Sequence, residues 1–466
     1  MEYILIGISA VLAVVALTVF FPRACFIGVI AAAILFPPDL ALKLDPLPRI
    51  GPSRIILGAF LLGLLLRLAV VKGEGVKIPR LTLGYFILAY LFCGTVSTVL
   101  SIEPLISIYA LIGRDLIEQF LLFYLALYFL RSADQWRPMK AALLLTTVIV
   151  CLLGLYEFLT LSNPLYPDRG FFVRESIPRI QSFFFHPIAL GSYMNLVAPF
   201  VLVEIVQSRR VHAKILYSFM LLAVVAVVFL TVSRGPWICL AIEFAMVGVY
   251  WVAKRRKQAL LTVLFAALVL ANAVVAYQFS ETAQRMFAPI LSPHTQDEAS
   301  PEYYRVMLFR TVIDYMEGAR WIYGYGPNVF FAAGIEARYS DHTVVITAAD
   351  NHFLKILLEY GLAGLLAFIA MLAAAVGACH SAFRGAGEEH KMAALACLAS
   401  ATGFILVNTT AGMFHIYPLG TLFWLAVVGG EGIMIDLRWP GLGLTEFQLR
   451  ARAEGARTAA VPPSQL

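Results

Sequence analysis

ILYSFMLLAVVAVVFLTVSRGPWICLAIEFAMVGVYWV, residues 215–252, contains two long apolar runs joined by little more than Ser233-Arg234-Gly235. Each run is close to the roughly 20 residues that cross the hydrocarbon core of a bilayer. So short a connection can only turn the chain back on itself, as between antiparallel neighbours. The pattern repeats outward in both directions. Further apolar segments lie at 4–21, 24–36, 54–71, 82–99, 107–130, 139–160, 188–206, 259–277, 353–378, 393–410 and 417–435, giving thirteen, or twelve if the short 24–36 segment is re-entrant or tilted. The expected fold class is therefore all-α: a polytopic integral membrane protein with about 12–13 transmembrane helices and one large extracytoplasmic loop. Composition agrees, since 61% of the 466 residues are hydrophobic and 14% charged, against about 45–50% and 25% in soluble domains. An ordinary soluble enzyme is excluded, and no nucleic-acid partner is expected.

Orientation follows from the basic residues in short connections. Lys72, Lys77 and Arg80, then Arg131 and Arg137, then Arg209, Arg210 and Lys214, then Lys254, Arg255, Arg256 and Lys257 all fall on one side of the counted spans. That side is expected to be cytoplasmic, and it takes the tail 436–466 with it. The connections 161–187 and 278–350 then face outward, as does the N-terminus. Met1-Glu2-Tyr3 offers no basic stretch before the first apolar run, so that run is expected to be an uncleaved span. A connection as long as 278–350 is expected to have structure of its own. Residues 1–435 thus form the membrane domain. The six cysteines lie within or beside apolar runs without a CxxC pair, which argues against a disulfide framework or a zinc site.

Three arginines stand on the outward side, where the charge bias would tend to exclude them. Arg234 sits in the tight Ser233-Arg234-Gly235-Pro236-Trp237 turn, Arg179 in Arg179-Ile180-Gln181-Ser182-Phe183-Phe184-Phe185-His186-Pro187, and Arg305 at the start of an amphipathic stretch. Guanidinium forks phosphate in a bidentate manner and keeps its charge, so each suits a phosphorylated lipid substrate. The plainer alternative is an arginine snorkelling to headgroups at a helix end. Val306, Phe309, Val312 and Ile313 predict a helix over 303–315, followed by the glycine-hinged turn Tyr323-Gly324-Tyr325-Gly326-Pro327-Asn328. Asp350-Asn351-His352 then leads into an apolar helix continuing through Glu359-Tyr360-Gly361, with Asp350 or Asn351 its natural cap.

This ordered set, an SRGxW turn between spans, a loop arginine with a helix and a GxG turn, and a DN…E.G helix start, resembles the O-antigen ligase and O-antigen polymerase superfamily of bacterial membrane glycosyltransferases. The RxxSFxxHP segment is similar to the corresponding loop of many members, and the resemblance runs from about Arg179 to Gly364. It implies a multi-pass enzyme of the bacterial cytoplasmic (inner) membrane whose site faces the periplasm or cell exterior. Such an enzyme transfers a glycan from undecaprenyl diphosphate to an acceptor sugar hydroxyl in O-antigen or exopolysaccharide synthesis. By motif, Arg234 and Arg305 would bind the diphosphate and stabilise the charge that develops on it. Arg179, His186 and Asn351 join them as substrate-binding candidates. The family works without a metal or other cofactor, and no clustered metal-ligand signature is present. Ligases usually carry His just before the motif's Asn, whereas this chain has Asp350 there and His352 after it. Asp350 is the preferred base, His352 the second candidate, and His186 and His415 lesser ones. The same departure favours polymerase over ligase.

Two other readings compete. A transporter or flippase of lipid-linked saccharides would share the hydropathy and the arginines, but transporters place their sites near the midplane, often between repeats. A purely structural membrane component is the third. Among the remaining charges, Arg114 and Glu118 are spaced to pair at i,i+4 within an apolar run. Lining a lipid groove is their functional alternative, while Glu157, Glu204, Glu243 and Glu431 read as packing or snorkelling residues near span ends.

Overall fold

The computed structural model describes residues 2–36, 42–44, 47–71, 81–130, 133–166, 172–174, 177–254, 301–332, 335–338, 343–345 and 350–438. The expected span at 259–277, the start of the long loop and most of the tail lie outside the described residues. In chain order the helices are α1 (Glu2–Phe20), α2 (Pro22–Leu35), α3 (Pro52–Val70), α4 (Thr82–Val99) and α5 (Pro104–Tyr109). A π-helix (Ala110–Leu121) follows, then α6 (Leu122–Phe129), α7 (Ala133–Thr160), α8 (Pro187–Gln207), α9 (Val211–Leu230) and α10 (Arg234–Lys254). The loop contributes α11 (Pro301–Tyr315), α12 (Arg320–Tyr323) and α13 (Val329–Ala332), before α14 (His352–Gly385), α15 (Glu388–Val407) and α16 (Leu419–Arg438). The only strands among the described residues form three antiparallel two-stranded hairpins of three or four residues a strand: β1–β2 (Leu42–Leu44, Leu47–Ile50), β3–β4 (Phe172–Arg174, Ile177–Arg179) and β5–β6 (Glu336–Arg338, Thr343–Val345).

The protein is an all-α polytopic membrane protein. Among the described residues eight helices are long and apolar enough to cross a bilayer, fewer than the twelve or thirteen expected. The reasons are local. α2, at 14 residues, is apolar but short, and 107–130 is wound partly as α-helix and partly as π-helix rather than as one regular span. The apolar stretches of α1 and α16 are taken over Ser9–Phe20 and Leu419–Gly432 alone, and 259–277 lies outside the described residues. Proline at the first helical position, where its missing N–H costs nothing, opens α2, α3, α5 and α8.

Burial separates central from peripheral helices. The apolar stretches of α8 and α15 are 72% and 67% buried, whereas that of α9 is 22% buried. α8 packs against α9, α10 and α15, while α14 packs against α4, α15 and α16. Outward faces of peripheral helices carry Tyr85, Leu88 and Phe92 on α4 and Leu216, Phe219 and Leu222 on α9, all exposed at helical spacing, as a surface solvated by lipid requires.

The π-helix changes the expected charge pairing. Its wider turn brings Arg114, Asp115, Glu118 and Gln119 all into the interior. Glu118 then pairs with Arg54 of α3 at 2.5 Å, and Arg114 with its neighbour Asp115 at 2.8 Å, so the i,i+4 pair expected from the sequence is not the one formed.

Candidate functional site

The turn between α9 and α10 is built by capping its own carbonyls. The Thr231 hydroxyl donates to Val228 O at 2.7 Å, the Trp237 indole N–H to the same carbonyl at 2.8 Å, and the Ser233 hydroxyl to Thr231 O at 3.0 Å. Val232 holds a left-handed φ of 47°, a conformation that persists in a β-branched residue only where its surroundings fix it. Arg179 supplies much of that fixing. Its Nε donates to Thr231 O and its Nη2 to Ser233 Oγ, both at 2.8 Å. The Arg179 segment is itself pinned, since the Glu157 carboxylate accepts the backbone N–H groups of Gln181 (3.1 Å) and Ser182 (2.7 Å). Arg179 therefore braces the turn from which Arg234 starts α10.

His186 caps α8, its Nδ1 accepting the Ile188 N–H at 3.1 Å, with Phe172 edge-on to the ring at 5.1 Å. Burial, with the positive charge of Arg179 adding to it, pushes this imidazole down to about 4.

Arg305 and Asp350 face each other across an open cleft of about 280 Å³ whose walls also include Val306, Phe309, Asn351, Leu354 and Thr409. Arg305 Nε lies 4.0 Å from Asp350 Oδ2, a loose ion pair, and that buried N–H has no hydrogen-bond partner. Burial raises the Asp350 carboxyl above the ordinary carboxylate value, and the neighbouring guanidinium offsets part of that rise. Asn351 is the cap of α14, accepting the N–H groups of Phe353 and Leu354 at 2.9 and 3.1 Å while its amide donates to Thr409 O at 2.9 Å. His352 points the other way. It is fully buried against Phe368, Phe414 and the ring of His415. The two candidate bases thus lie on different sides of the helix start.

A turn not anticipated from the sequence joins these pieces. Residues 408–411 follow α15; Asn408 O accepts the His352 N–H at 3.0 Å, and Thr410 stands so close to Gly235 that a Cβ there would meet its hydroxyl at 2.6 Å. The Arg234 turn and the Asp350 cleft therefore adjoin through Thr409 and Thr410. The signal was present as Asn408-Thr409-Thr410, a polar triplet closing an apolar run.

The loop is held to α14 by a second device. α14 breaks at Gly361 (φ 68°, ψ −171°), which diverts the amides that would have met the carbonyls of Leu358 and Glu359. Tyr325 and Gly326 of the glycine-hinged turn donate their N–H groups to those carbonyls, each at 2.9 Å. The approach is backbone to backbone: a Cβ on Gly324, itself at φ +75°, would lie 2.5 Å from the Glu359 carbonyl.

Among the described residues no group of His, Cys, Asp or Glu is arranged to hold a metal ion. Residues 218–369 match the family described as O-antigen ligase, which supports the superfamily resemblance drawn from the motifs. The matched stretch is roughly a third of the chain and includes Arg234, Arg305, Asp350, Asn351, His352 and the Gly361 break. No curated protein matches the chain.

Proposed function

We propose that this chain, which carries an O-antigen ligase match over residues 218–369, transfers a glycan from undecaprenyl diphosphate to a sugar hydroxyl at the outer face of the bacterial cytoplasmic membrane. The observation that carries the reading is the loose Arg305–Asp350 pair across an open cleft, beside the turn that bears Arg234.

In the proposed reaction the acceptor oxygen attacks the anomeric carbon, the bond from that carbon to the diphosphate oxygen breaks, and the configuration inverts. Asp350 takes the proton from the acceptor hydroxyl. Arg305 and Arg234 stabilise the negative charge that the departing diphosphate gains. The loose pair has a use here. A diphosphate that binds Arg305 competes with Asp350 for the guanidinium, and weakening that attraction raises the carboxylate's proton affinity as the donor arrives. Asn351 shapes the cleft as the helix cap, Arg179 supports the Arg234 turn, and His186 and His352 are assigned to packing. Polymerase is preferred to ligase because Asp350 stands where ligases usually carry His.

The test is to incubate the purified protein with a defined undecaprenyl-diphosphate oligosaccharide and no added metal, then to resolve the products by length. A ladder of longer lipid-linked glycans, absent from Arg234→Ala and Asp350→Ala, supports a polymerase. Transfer only to a separately added acceptor makes it a ligase. Movement of intact lipid-linked saccharide across liposomes without any covalent product overturns the proposal in favour of transport.

A further inference from the structure

A second charged cluster lies inside the bundle on the opposite side of α14 from the cleft. Arg114 Nη2 reaches Glu359 Oε2 at 3.4 Å and the Tyr360 hydroxyl at 3.2 Å, while its Nε is held by Asp115 at 2.8 Å. The Tyr360 hydroxyl donates to Asp115, and His415 approaches the same carboxylate at 3.5 Å. Lys355 completes the group, 3.8 Å from the other Glu359 oxygen. Asp115, Glu359 and Tyr360 are fully buried. Charges taken out of water are costly, and a cluster of this kind is weak evidence for stability on its own. Its position relative to the helix break is what distinguishes it.

Glu359 and Tyr360 are the two residues immediately before Gly361. The Glu359 carbonyl accepts Gly326 N–H from the loop at 2.9 Å and the Ser97 hydroxyl at 2.6 Å. One residue is thus gripped twice, by its backbone from the loop and by its side chain from the π-helix. From this joint the chain leads to both halves of the cleft: back along the start of α14 to Asp350, and back from Tyr325 through α12 and α11 to Arg305. The joint is thus where the two segments that carry those groups are pinned to each other by backbone hydrogen bonds. The π-helix that presents Arg114 is a rare winding, frequently found at functional sites.

We propose that Arg114, with Asp115, is a positioning residue: it fixes the Glu359–Gly361 joint and through it the width of the Arg305–Asp350 cleft. The proposal rests on the assignment of that cleft as the transfer site, but its geometric content can be read without turnover. Phe309 and Thr409 line the cleft on opposite elements and take no part in the proposed chemistry. In a Phe309→Cys/Thr409→Cys background, the yield of the 309–409 peptide linked by a short bismaleimide, measured by mass spectrometry, reports the cleft width.

Arg114→Gln is expected to change that yield several-fold and, without the cysteines, to lower glycan transfer per folded molecule more than tenfold, with Arg114→Lys recovering part of both. Lys140→Gln, which removes the Lys140–Glu204 ion pair between α7 and α8 instead, is expected to leave both within twofold. Tyr360→Phe, which removes one hydroxyl and no charge, serves if Arg114→Gln does not fold, and should shift both readouts in the same direction. Cross-link yield and transfer per folded molecule within twofold of the parent in the folded variants would overturn the proposal. If the parent performs no transfer, the cross-link result still decides the positioning role while the catalytic reading fails on its own.

Discussion

Two arginine–aspartate pairs stand on either side of the start of α14, and they differ in almost every physical respect. Arg305 and Asp350 are 4.0 Å apart with side chains 39% and 44% exposed, whereas Arg114 and Asp115 are 2.8 Å apart with side chains 10% and 0% exposed. An exposed pair contributes little, about 0–1 kcal/mol, and exchanges partners readily. Breaking a buried pair leaves a charge stranded and costs about 3–5 kcal/mol. The contrast teaches that charge in this protein is divided between a pair suited to giving up its partner and a pair suited to holding its place.

The largest expected effect tests the first half of that contrast. Arg305→Ala and Asp350→Ala should each reduce glycan transfer by about 10²–10³-fold while leaving the amount of folded protein unchanged, as read by size-exclusion chromatography. Loss of folded protein in step with activity would erase the distinction between the pairs. Next, Gly324→Val should cost about 1–3 kcal/mol from its backbone conformation alone, with the approach to Glu359 adding to it. Thermal unfolding in detergent and faster proteolysis of the loop would register it. Asn351→Ala should lose about 1 kcal/mol of helix capping, and Asn351→Ser should keep most of it.

A subtler measurement sharpens the account of the loose pair. The acid limb of the pH–rate profile should lie above the ordinary carboxylate range, because burial raises Asp350, and Arg305→Gln should move it higher still by removing the attraction that offsets burial. An unmoved limb would mean that the two groups do not sense each other. The smallest effect concerns His186, which burial pushes down to about 4 from the ordinary imidazole value of 6.5. The unfolded chain binds the extra proton between those values, so stability should be intact above about pH 6.5 and fall as the pH drops towards 4. His186→Asn, which can still cap α8, should flatten thermal stability across that window.

Much of the fold is legible in the sequence because lipid imposes one simple rule, long apolar helices with satisfied backbones. The helix at 301–315, the glycine hinge and the Asn351 cap follow from periodicity and turn chemistry. Individual partners do not. Pairing Arg114 with Glu118 assumes α-helical winding, and nothing in ALIGRDLIEQFL announces a π-helix. Arg179 reads as one more phosphate-binding arginine, yet its hydrogen bonds go to the Arg234 turn, a contact across more than fifty residues. The turn at 408–411 reads as the end of a span, and it is brought to the cleft by contacts with Asn351, His352 and Gly235. Each of these depends on which distant backbone groups lack a partner, which pattern along the chain does not record.

The break at Gly361 also bears on the order in which the molecule is made. The amides of Tyr325 and Gly326 emerge from the ribosome before the carbonyls of Leu358 and Glu359 that will accept them, and those carbonyls are freed only by the bend of a helix that has yet to enter the membrane. During synthesis the loop must therefore wait, its docking groups hydrated, until α14 has been threaded. Assembly of the cleft becomes a late event in biogenesis, and a chain stalled before Gly361 carries Arg305 and Asp350 without the joint that docks the loop.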